Sequence, residues 1–110
     1  MVHTDLNPGN VLVRDGAVVA VVDIENAGSG TRATDLTTLQ WYTFQDRLDG
    51  VRRRLWTRIF DLVGWEGAAV LAATQILLQL EWPIRLGRHD VVAGVVKRGH
   101  RVLDELNALR

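Results

Sequence analysis

The strongest constraint on the fold is a pair of short valine-rich runs, residues 11–13 and 17–22, separated by a segment that contains an Asp-Gly pair. Valine favours extended backbone, and Asp-Gly between two such runs is typical of a tight hairpin turn. The pattern therefore predicts an antiparallel β-hairpin. Asn10 stands at its entrance and Asp23 at its exit, so these two polar side chains are expected near one another, at the end away from the turn.

Beyond a polar, glycine-containing loop at residues 26–31, apolar residues recur every three or four positions, as in amphipathic helices. Thr34 or Asp35 is the expected cap of the first helix. Gly64 is expected to end the second, and Pro83 the third, because the residue before proline avoids helical angles. The four predicted helices span residues 34–46, 49–64, 65–81 and 90–109. We therefore predict one α+β domain, mostly helical, with a short β-hairpin followed by about four helices.

The composition is that of an ordinary globular protein, with 47% hydrophobic and 24% charged residues. The formal net charge is zero, so no basic surface indicates nucleic-acid binding. There is no cysteine, which excludes disulfides and cysteine-based zinc sites and favours a cytoplasmic location. The most apolar run, residues 68–80, is interrupted by Gln75 and Gln79 and is shorter than the ~20 residues of a membrane span. It is predicted to be a buried helix, and no membrane partner is expected.

The residues with chemical meaning are His3, Asp5 and Asn10 in the first loop and Asp23 after the hairpin. Phosphoryl transfer needs a carboxylate that orients and deprotonates the attacking hydroxyl, and oxygen ligands for the magnesium that neutralises the phosphates. Asp5 and Asn10 have the histidine-x-aspartate-x4-asparagine spacing of a kinase catalytic loop. Taken alone, an aspartate near Asn-Pro-Gly is more often a turn or cap residue. The three residues together favour the catalytic interpretation.

Two segments resemble the C-terminal lobe of aminoglycoside phosphotransferases, a branch of the protein-kinase-like fold that includes choline and homoserine kinases. The family's loop typically reads HGDLHPGN, and this chain has HTDLNPGN at residues 3–10. Its later block typically reads DWEDAGxGDPxxDL, and this chain has DIENAGSGTRATDL at residues 23–36. The resemblance implies transfer of the γ-phosphoryl group of ATP, with Mg²⁺, to the hydroxyl of a small molecule.

The resemblance also implies a role for each matching residue. Asp5 would be the catalytic base, and Asn10 and Asp23 the magnesium ligands. His3 and Asp35 would support the loop by hydrogen bonds rather than touch substrate. For Asp35, an ordinary helix cap is the rival interpretation, and both roles are compatible.

The chain departs from the family pattern at residue 7 and at residues 31 and 32, among other positions. Asn7 replaces the usual histidine, and Thr31-Arg32 replace the aspartate-proline pair. Neither change removes a catalytic carboxylate, although the second could alter how Asp35 is presented. Glu25 is left with two interpretations, exposure to solvent or contact with a metal-bound water.

Three other groups of residues could suggest a binding site, but none is assigned a functional role. The tryptophans are expected to be core or helix-packing residues rather than a substrate-stacking set. The run Arg52-Arg53-Arg54 is expected to be a solvated helix face. His89 and His100 are eleven residues apart, whereas a metal pair on a helix needs a spacing of three or four. The tryptophans are Trp41, Trp56, Trp65 and Trp82.

A complete kinase also has a nucleotide-binding lobe, in which a glycine-rich loop covers the phosphates and a strand lysine positions them. This sequence has no GxGxxG, and its single lysine is Lys97. We therefore expect a partial C-terminal lobe without the N-terminal lobe. Residues 1–36 would form the catalytic loop, hairpin and metal-binding segment, and residues 37–110 a helical subdomain. Such a chain, whether a fragment or a remnant of a longer kinase, is expected to have little or no activity alone.

The alternative is a non-catalytic helical module that binds a partner through an apolar face left open by the absent lobe. The partner would be that lobe or another protein. Substrate-binding residues are unassigned at this level. Acidic side chains are candidates to attract a cationic acceptor, although most are expected to be ordinary surface charges. These are Asp46, Asp49, Glu66 and Glu81.

Overall fold

The computed structural model describes residues 1–44 and 48–110. Within them, a two-stranded antiparallel sheet is followed by three helices. The elements are β1 (Val11–Arg14), β2 (Ala17–Val21), α1 (Arg32–Trp41), α2 (Asp49–Arg85) and α3 (His89–Ala108). The predicted α+β, mostly helical class is confirmed.

The hairpin turn is formed by Asp15 and Gly16, whose φ angles are 52° and 77°. Two successive left-handed residues are what a two-residue turn needs to match the twist of its strands, and Asp-Gly supplies them at low cost. Val11 pairs with Val21, and the register shifts once after Leu12. Most side chains of both strands are exposed, so little apolar packing holds the hairpin against the helices.

Helix α1 begins earlier than the sequence predicted. Its cap is Thr31, which has extended backbone and whose hydroxyl accepts a hydrogen bond from the N–H two residues later, at 3.3 Å. The predicted caps, Thr34 and Asp35, are therefore wrong. Asp35 lies within the first helical turn, so its carboxylate is available to other donors. The helix ends at Trp41, and Asp46, where it was expected to end, lies outside the described residues.

Helix α2 contains the second and third predicted helices, joined at a kink. Gly64 has φ 71° and ψ 179°, which are far from helical values and which glycine adopts readily because it has no Cβ. The break that the sequence predicted at this residue is therefore present, although the chain continues directly into the next helical segment. The four predicted helices accordingly appear as three, one of them kinked.

The predicted end of this helix before Pro83 is wrong, because α2 continues to Arg85. Proline removes one hydrogen-bond donor and disfavours a helical preceding residue. Here it lies in the last turn with its ring buried. The N–H of Leu86 still donates to the carbonyl of Trp82, at 3.0 Å, so the final turn closes around the proline.

The apolar core lies between the three helices. Its largest fully buried apolar side chains are Trp56, Ile59 and Leu106. The indole of Trp65 donates to the carbonyl of Leu106 at 3.0 Å, which attaches the second half of α2 to α3. Trp82 is 40% exposed and lies outside the core, which leaves helix packing as its predicted role. The core is Ala33, Trp41, Phe44, Trp56, Ile59, Ala68, Ala72, Val102 and Leu106.

Arg52 is buried, which overturns its predicted place on a solvated face. Its guanidinium donates to Glu105 at 2.9 Å, to the carbonyl of Thr43 at 2.9 Å and to Asp49 at 2.6 Å. It also lies 4.6 Å from the centre of the Phe44 ring. Burial lowers the pKa of Arg52, but the hydrogen bonds to the two carboxylates outweigh this effect and raise the pKa above its usual value. Arg52, in the first turn of α2, therefore links this helix to Glu105 on α3 and to Thr43, which follows α1.

One face of α2 is apolar and exposed. By length and composition alone this helix is apolar enough to cross a membrane, with a mean hydropathy of 1.2 over its best window. The prediction of a buried helix at residues 68–80 holds for one side only, where Ala68, Ala72 and Gln75 are buried. We call the opposite, exposed side the α2 stripe. The α2 stripe consists of Val70, Leu77 and Ile84.

Candidate active site

The first residues pair with the loop that follows the hairpin. The N–H of Val2 donates to the carbonyl of Gly28 at 2.7 Å, and the N–H of Gly28 donates back to Val2 at 3.0 Å. Val2 is buried, and a Cβ on Gly30 would lie only 3.1 Å from its side chain. The close approach needs a small residue at this position. The two sequence motifs, distant along the chain, therefore lie side by side.

Asp35 joins the first loop to helix α1. One carboxylate oxygen accepts the backbone N–H of His3 at 2.8 Å, and the other accepts that of Thr4 at 2.9 Å. Hydrogen bonds from backbone N–H groups to a carboxylate are stronger than those to neutral acceptors. These are contacts that a loop-supporting residue would make, and that role, which the family resemblance implies for Asp35, stays a prediction.

His3 connects the loop to the end of the hairpin. Its ring is buried, and its Nε2 lies 2.7 Å from the carbonyl oxygen of Val22. Its Nδ1 accepts the N–H of Asp5 at 3.1 Å. A ring nitrogen that accepts carries no proton, so this network assigns the proton to Nε2, which donates to Val22. The predicted support residue thus bridges the loop and the segment that carries Asp23.

The candidate base, Asp5, is half-buried and is held from two sides. The side-chain amide of Asn10 donates to its backbone carbonyl at 2.9 Å. The side-chain amide of Asn7 donates to its carboxylate Oδ1 at 3.2 Å, while the Asn7 oxygen accepts the N–H of Gly9 at 2.9 Å. The hydrogen bond from the N–H of Gly9 orients the Asn7 amide. The departure from the family pattern at residue 7 therefore supplies a hydrogen bond to the candidate base.

Asp23 follows β2, with a positive φ of 60° and an exposed side chain. The N–H of its neighbour Val22 donates to the carbonyl of Asn10 at 2.9 Å. The Asn10 side chain therefore contacts the backbone of Asp5. The backbone of Asn10 is bonded to Val22, the residue before Asp23. Glu25 is exposed. In residues 1–44 and 48–110 no group of three or more histidines and carboxylates could hold a metal, so a magnesium site here depends on one amide and one carboxylate.

Thr4 has φ 72°, which is rare for a β-branched residue and implies backbone strain. The family typically has glycine at this position. In this chain the threonine hydroxyl donates to the carbonyl of Asn26 at 2.8 Å, and the Asp35 carboxylate accepts its N–H. These two hydrogen bonds offset the strain and attach the loop to the segment after the hairpin.

A cavity of about 480 Å³ opens beside Asp5, between the first loop and helices α1 and α2. The volume is within the usual range for small-molecule sites. Thr4 and Asp5 form one wall, and Gln75 and Trp82 of α2 lie among the residues of the other. Sequence reasoning assigned neither residue to the site, since Gln75 was noted only as an interruption of an apolar run and Trp82 was expected to be a packing residue. The available signal was that Gln75 and Gln79 interrupt an apolar run one helical turn apart, and therefore share a helix face.

Comparison with known proteins agrees with the geometry. The model of the phosphotransferase enzyme family matches residues 1–71, which is more than half of the 110-residue chain and includes the loop, the hairpin and α1. No curated protein and no solved structure matches the chain. The match covers both motifs on which the resemblance was based. The chain therefore belongs to the phosphotransferase enzyme family.

Proposed function

We propose that this chain carries the phosphoryl-transfer half of an ATP-dependent small-molecule kinase. In this proposal Asp5 orients the acceptor hydroxyl and accepts its proton. Asn10 and Asp23 supply oxygen ligands to Mg²⁺, and His3 and Asp35 keep the loop in place. The γ-phosphoryl group of ATP passes to the acceptor oxygen.

The observation that most supports this proposal is the pair of hydrogen bonds from the backbone of His3 and Thr4 to Asp35, at 2.8 and 2.9 Å. They restrain the backbone next to Asp5, which borders the cavity. Catalysis of phosphoryl transfer depends mainly on positioning and electrostatics. A general base must be held within hydrogen-bonding reach of the proton it accepts. A loop restrained at the two residues that precede its aspartate supports this role for Asp5.

Asp5 has one carboxylate oxygen bonded to Asn7, at 3.2 Å. Its other oxygen makes no hydrogen bond with residues 1–44 or 48–110, so it is available to a substrate hydroxyl. The hydroxyl proton would move to this oxygen as the acceptor oxygen attacks phosphorus. In this way Asn7 acts as a positioning residue for the carboxylate.

The donor set fits magnesium. Mg²⁺ prefers oxygen ligands and usually takes one or two carboxylates, with water and phosphate oxygens completing its shell. The Asn10 amide nitrogen is engaged by the Asp5 carbonyl, which leaves its oxygen for another partner. The Asp23 carboxylate is exposed. When bound, the ion would neutralise charge on the phosphates.

We propose that the nucleotide-binding groups are not among these residues, because the sequence has no glycine-rich GxGxxG motif and Lys97 is its only lysine. We expect the 110 residues alone to turn over Mg-ATP very slowly with any amino alcohol, sugar or aminoglycoside acceptor. A coupled assay of ADP release checks this. Turnover near the roughly 1–100 s⁻¹ of ordinary kinases would contradict it.

The metal ligands are tested with Mn²⁺ as a paramagnetic substitute for Mg²⁺, read by amide line broadening in NMR spectra. We expect broadening at residues 3–10 and 22–26, and its loss in Asp23→Asn. Asp15→Asn is the matched control. Like Asp23, Asp15 is exposed and has a positive φ, but it lies at the turn, the far end of the hairpin. Equal broadening in both variants, or broadening only on the helices, would refute the assignment.

A second candidate function is the non-catalytic interaction module. It is favoured by the α2 stripe, whose side chains Val70, Leu77 and Ile84 are 60% or more exposed. Exposed apolar residues that share a helix face often mark an interface. This alternative predicts no metal binding at Asn10 and Asp23, so the same Mn²⁺ experiment separates the two candidates.

A further inference from the structure

We propose that the acceptor is a neutral polyhydroxylated ring compound, such as a sugar or a cyclitol, bound in the cavity beside Asp5. The inference rests on the function proposed above, because it takes Asp5 as the base that receives the acceptor's proton. It goes further by naming the acceptor's chemistry and three residues that recognise it, Gln75, Gln79 and Trp82.

The cavity walls are rich in uncharged groups that both donate and accept hydrogen bonds. A ring hydroxyl donates one hydrogen bond and accepts others, so amides and hydroxyls are its natural partners. Gln75 and Gln79 are one turn apart on α2 and line the same cavity. The uncharged hydrogen-bonding side chains of the lining are Thr4, Asn26, Thr38, Tyr42, Gln75 and Gln79.

Gln75 is the most informative of these residues. It is only 8% exposed, yet it lines the cavity. Its Oε1 lies 3.3 Å from the Thr38 hydroxyl, whose single proton is shared with the carbonyl of Thr34 at 3.2 Å. Its Nε2 has no hydrogen-bond acceptor among residues 1–44 and 48–110. This nitrogen is not among the fully buried, unpaired atoms of the described residues, so it is open to the cavity and a ligand oxygen can reach it.

Trp82 supplies the flat surface that a ring compound needs. It is 40% exposed although tryptophan is usually packed inside. It borders the cavity beside Asp5 and also a neighbouring cavity of about 440 Å³. Aromatic faces contribute large apolar contact at low entropic cost, while the surrounding polar groups orient the ligand. The C–H face of a sugar ring would lie against the indole.

The cavity offers a polycationic acceptor one unpaired carboxylate and one in a solvent-exposed ion pair. The lining has two carboxylates, Asp5 and Glu81, and Glu81 is paired with Arg85 at 2.8 Å. In the neighbouring cavity the charged side chain is Arg98, which lies 5.3 Å from the Trp41 ring. A polycation is attracted to a surface that carries several unpaired negative charges. Among the described residues, Asp5 is the only lining carboxylate without an ion pair.

The test is ligand binding to the 110-residue chain, followed by NMR and without nucleotide. The probes are myo-inositol, D-glucose and the polycationic aminoglycoside kanamycin. We expect the neutral rings to shift the Gln75 side-chain amide and the Trp82 indole signals. Trp82→Ala and Gln75→Leu should each weaken that binding about tenfold, the scale of one aromatic or hydrogen-bond contact. Ile84→Ala and Thr74→Val, exposed on the same helix and outside both cavities, are the controls.

The outcomes separate this inference from the proposed function. Mn²⁺ binding at Asn10 and Asp23 with no neutral ring bound overturns the inference and leaves the function standing. Kanamycin binding in place of the neutral rings, lost in the same two cavity variants, also overturns it. Ring binding without Mn²⁺ binding supports the ligand class and contradicts the proposed function. Equal weakening by the control and cavity variants shows that the ring binds elsewhere and overturns the inference.

Discussion

The catalytic segment, residues 1–31, and the helical region, residues 48–110, are stabilised by different forces. In the catalytic segment only Val2 and His3 are buried, and its contacts with α1 are hydrogen bonds from the backbone of His3 and Thr4 to Asp35. The helical region is held by apolar packing around Trp56 and Leu106. Hydrogen bonds fix direction but contribute modest net stability, whereas apolar burial contributes more and has little directionality.

This difference matches what each region must do. Candidate catalytic groups need defined positions, and side-chain to backbone hydrogen bonds provide them at the end of an otherwise exposed hairpin. The helices form the wall of the cavity through Gln75 and Trp82, and need only a stable framework. Segments with few buried apolar contacts open more readily than packed helices. We therefore expect backbone amides in residues 1–31 to exchange with solvent faster than those of α2 and α3.

The largest expected effect is on the packed region. Trp56→Ala removes a side chain that is 2% exposed, stacks on Phe60 and donates to Glu105 at 3.0 Å. Loss of a buried tryptophan costs about 3–5 kcal/mol of unfolding free energy. Denaturant unfolding measures this, with Trp82→Ala as the control. If both variants lost equal stability, the apolar core would not lie where we describe it.

The next effect concerns the buried arginine. Arg52→Met removes the ion-pair partner of Glu105 and Asp49, while Glu105 keeps the hydrogen bond from Trp56. Breaking a buried ion pair typically costs 3–5 kcal/mol, and we expect about 3 because the side chain of Glu105 is 25% exposed. The double variant Arg52→Met, Glu105→Met should recover part of the loss. Arg53→Met, at an exposed neighbour, should change the denaturation midpoint little.

A smaller and local effect is expected at the catalytic segment. Asp35→Asn replaces one accepting oxygen by an amide group that faces a backbone N–H, so one of the two bonds to His3 and Thr4 is lost. The exchange of those two amides should accelerate about tenfold or more, the equivalent of one charge-assisted hydrogen bond. The midpoint for α2 and α3 should move little. Asp61→Asn, exposed on α2, is the control. A cooperative loss of stability across the helices would instead show that the two regions unfold as one.

The smallest effect is a pH dependence at the start of α3. The hydrogen bond from Arg88 lowers the pKa of Asp90 below its usual value. A carboxyl whose folded-state pKa is depressed stabilises the fold above its unfolded pKa, and that contribution is lost as the pH falls through the folded pKa. Because Asp90 is exposed, the effect should be slight. Melting temperatures of Asp90→Asn and of wild type should differ a little near neutral pH and converge in acid.

Much of the local structure could be predicted, because the signals are local. Asp15-Gly16 specified the hairpin turn, and both residues have the positive φ that such a turn requires. Gly64 was correctly predicted as a break between helical segments. The candidate site was inferred from the order and spacing of Asp5, Asn10 and Asp23, and their roles stay a prediction.

The errors came from contacts between distant residues. Thr31 and not Asp35 caps α1, because the Asp35 carboxylate is engaged by a loop about thirty residues away. Arg52 looked solvated in a run of three arginines, but Glu105 on another helix binds it. Pro83 lies in the last turn of α2 with its ring buried, two residues before the helix ends at Arg85.

The amino-acid sequence by itself determined the hairpin, the helical segments, the order of the catalytic motifs and the family, because these depend on neighbours along the chain. Only the tertiary structure decided that Gln75 and Trp82 stand opposite Asp5 across a cavity, and that Arg52 is buried. The physical reason is that helical periodicity states which residues share a face. What that face meets depends on how the elements pack, which no local pattern encodes.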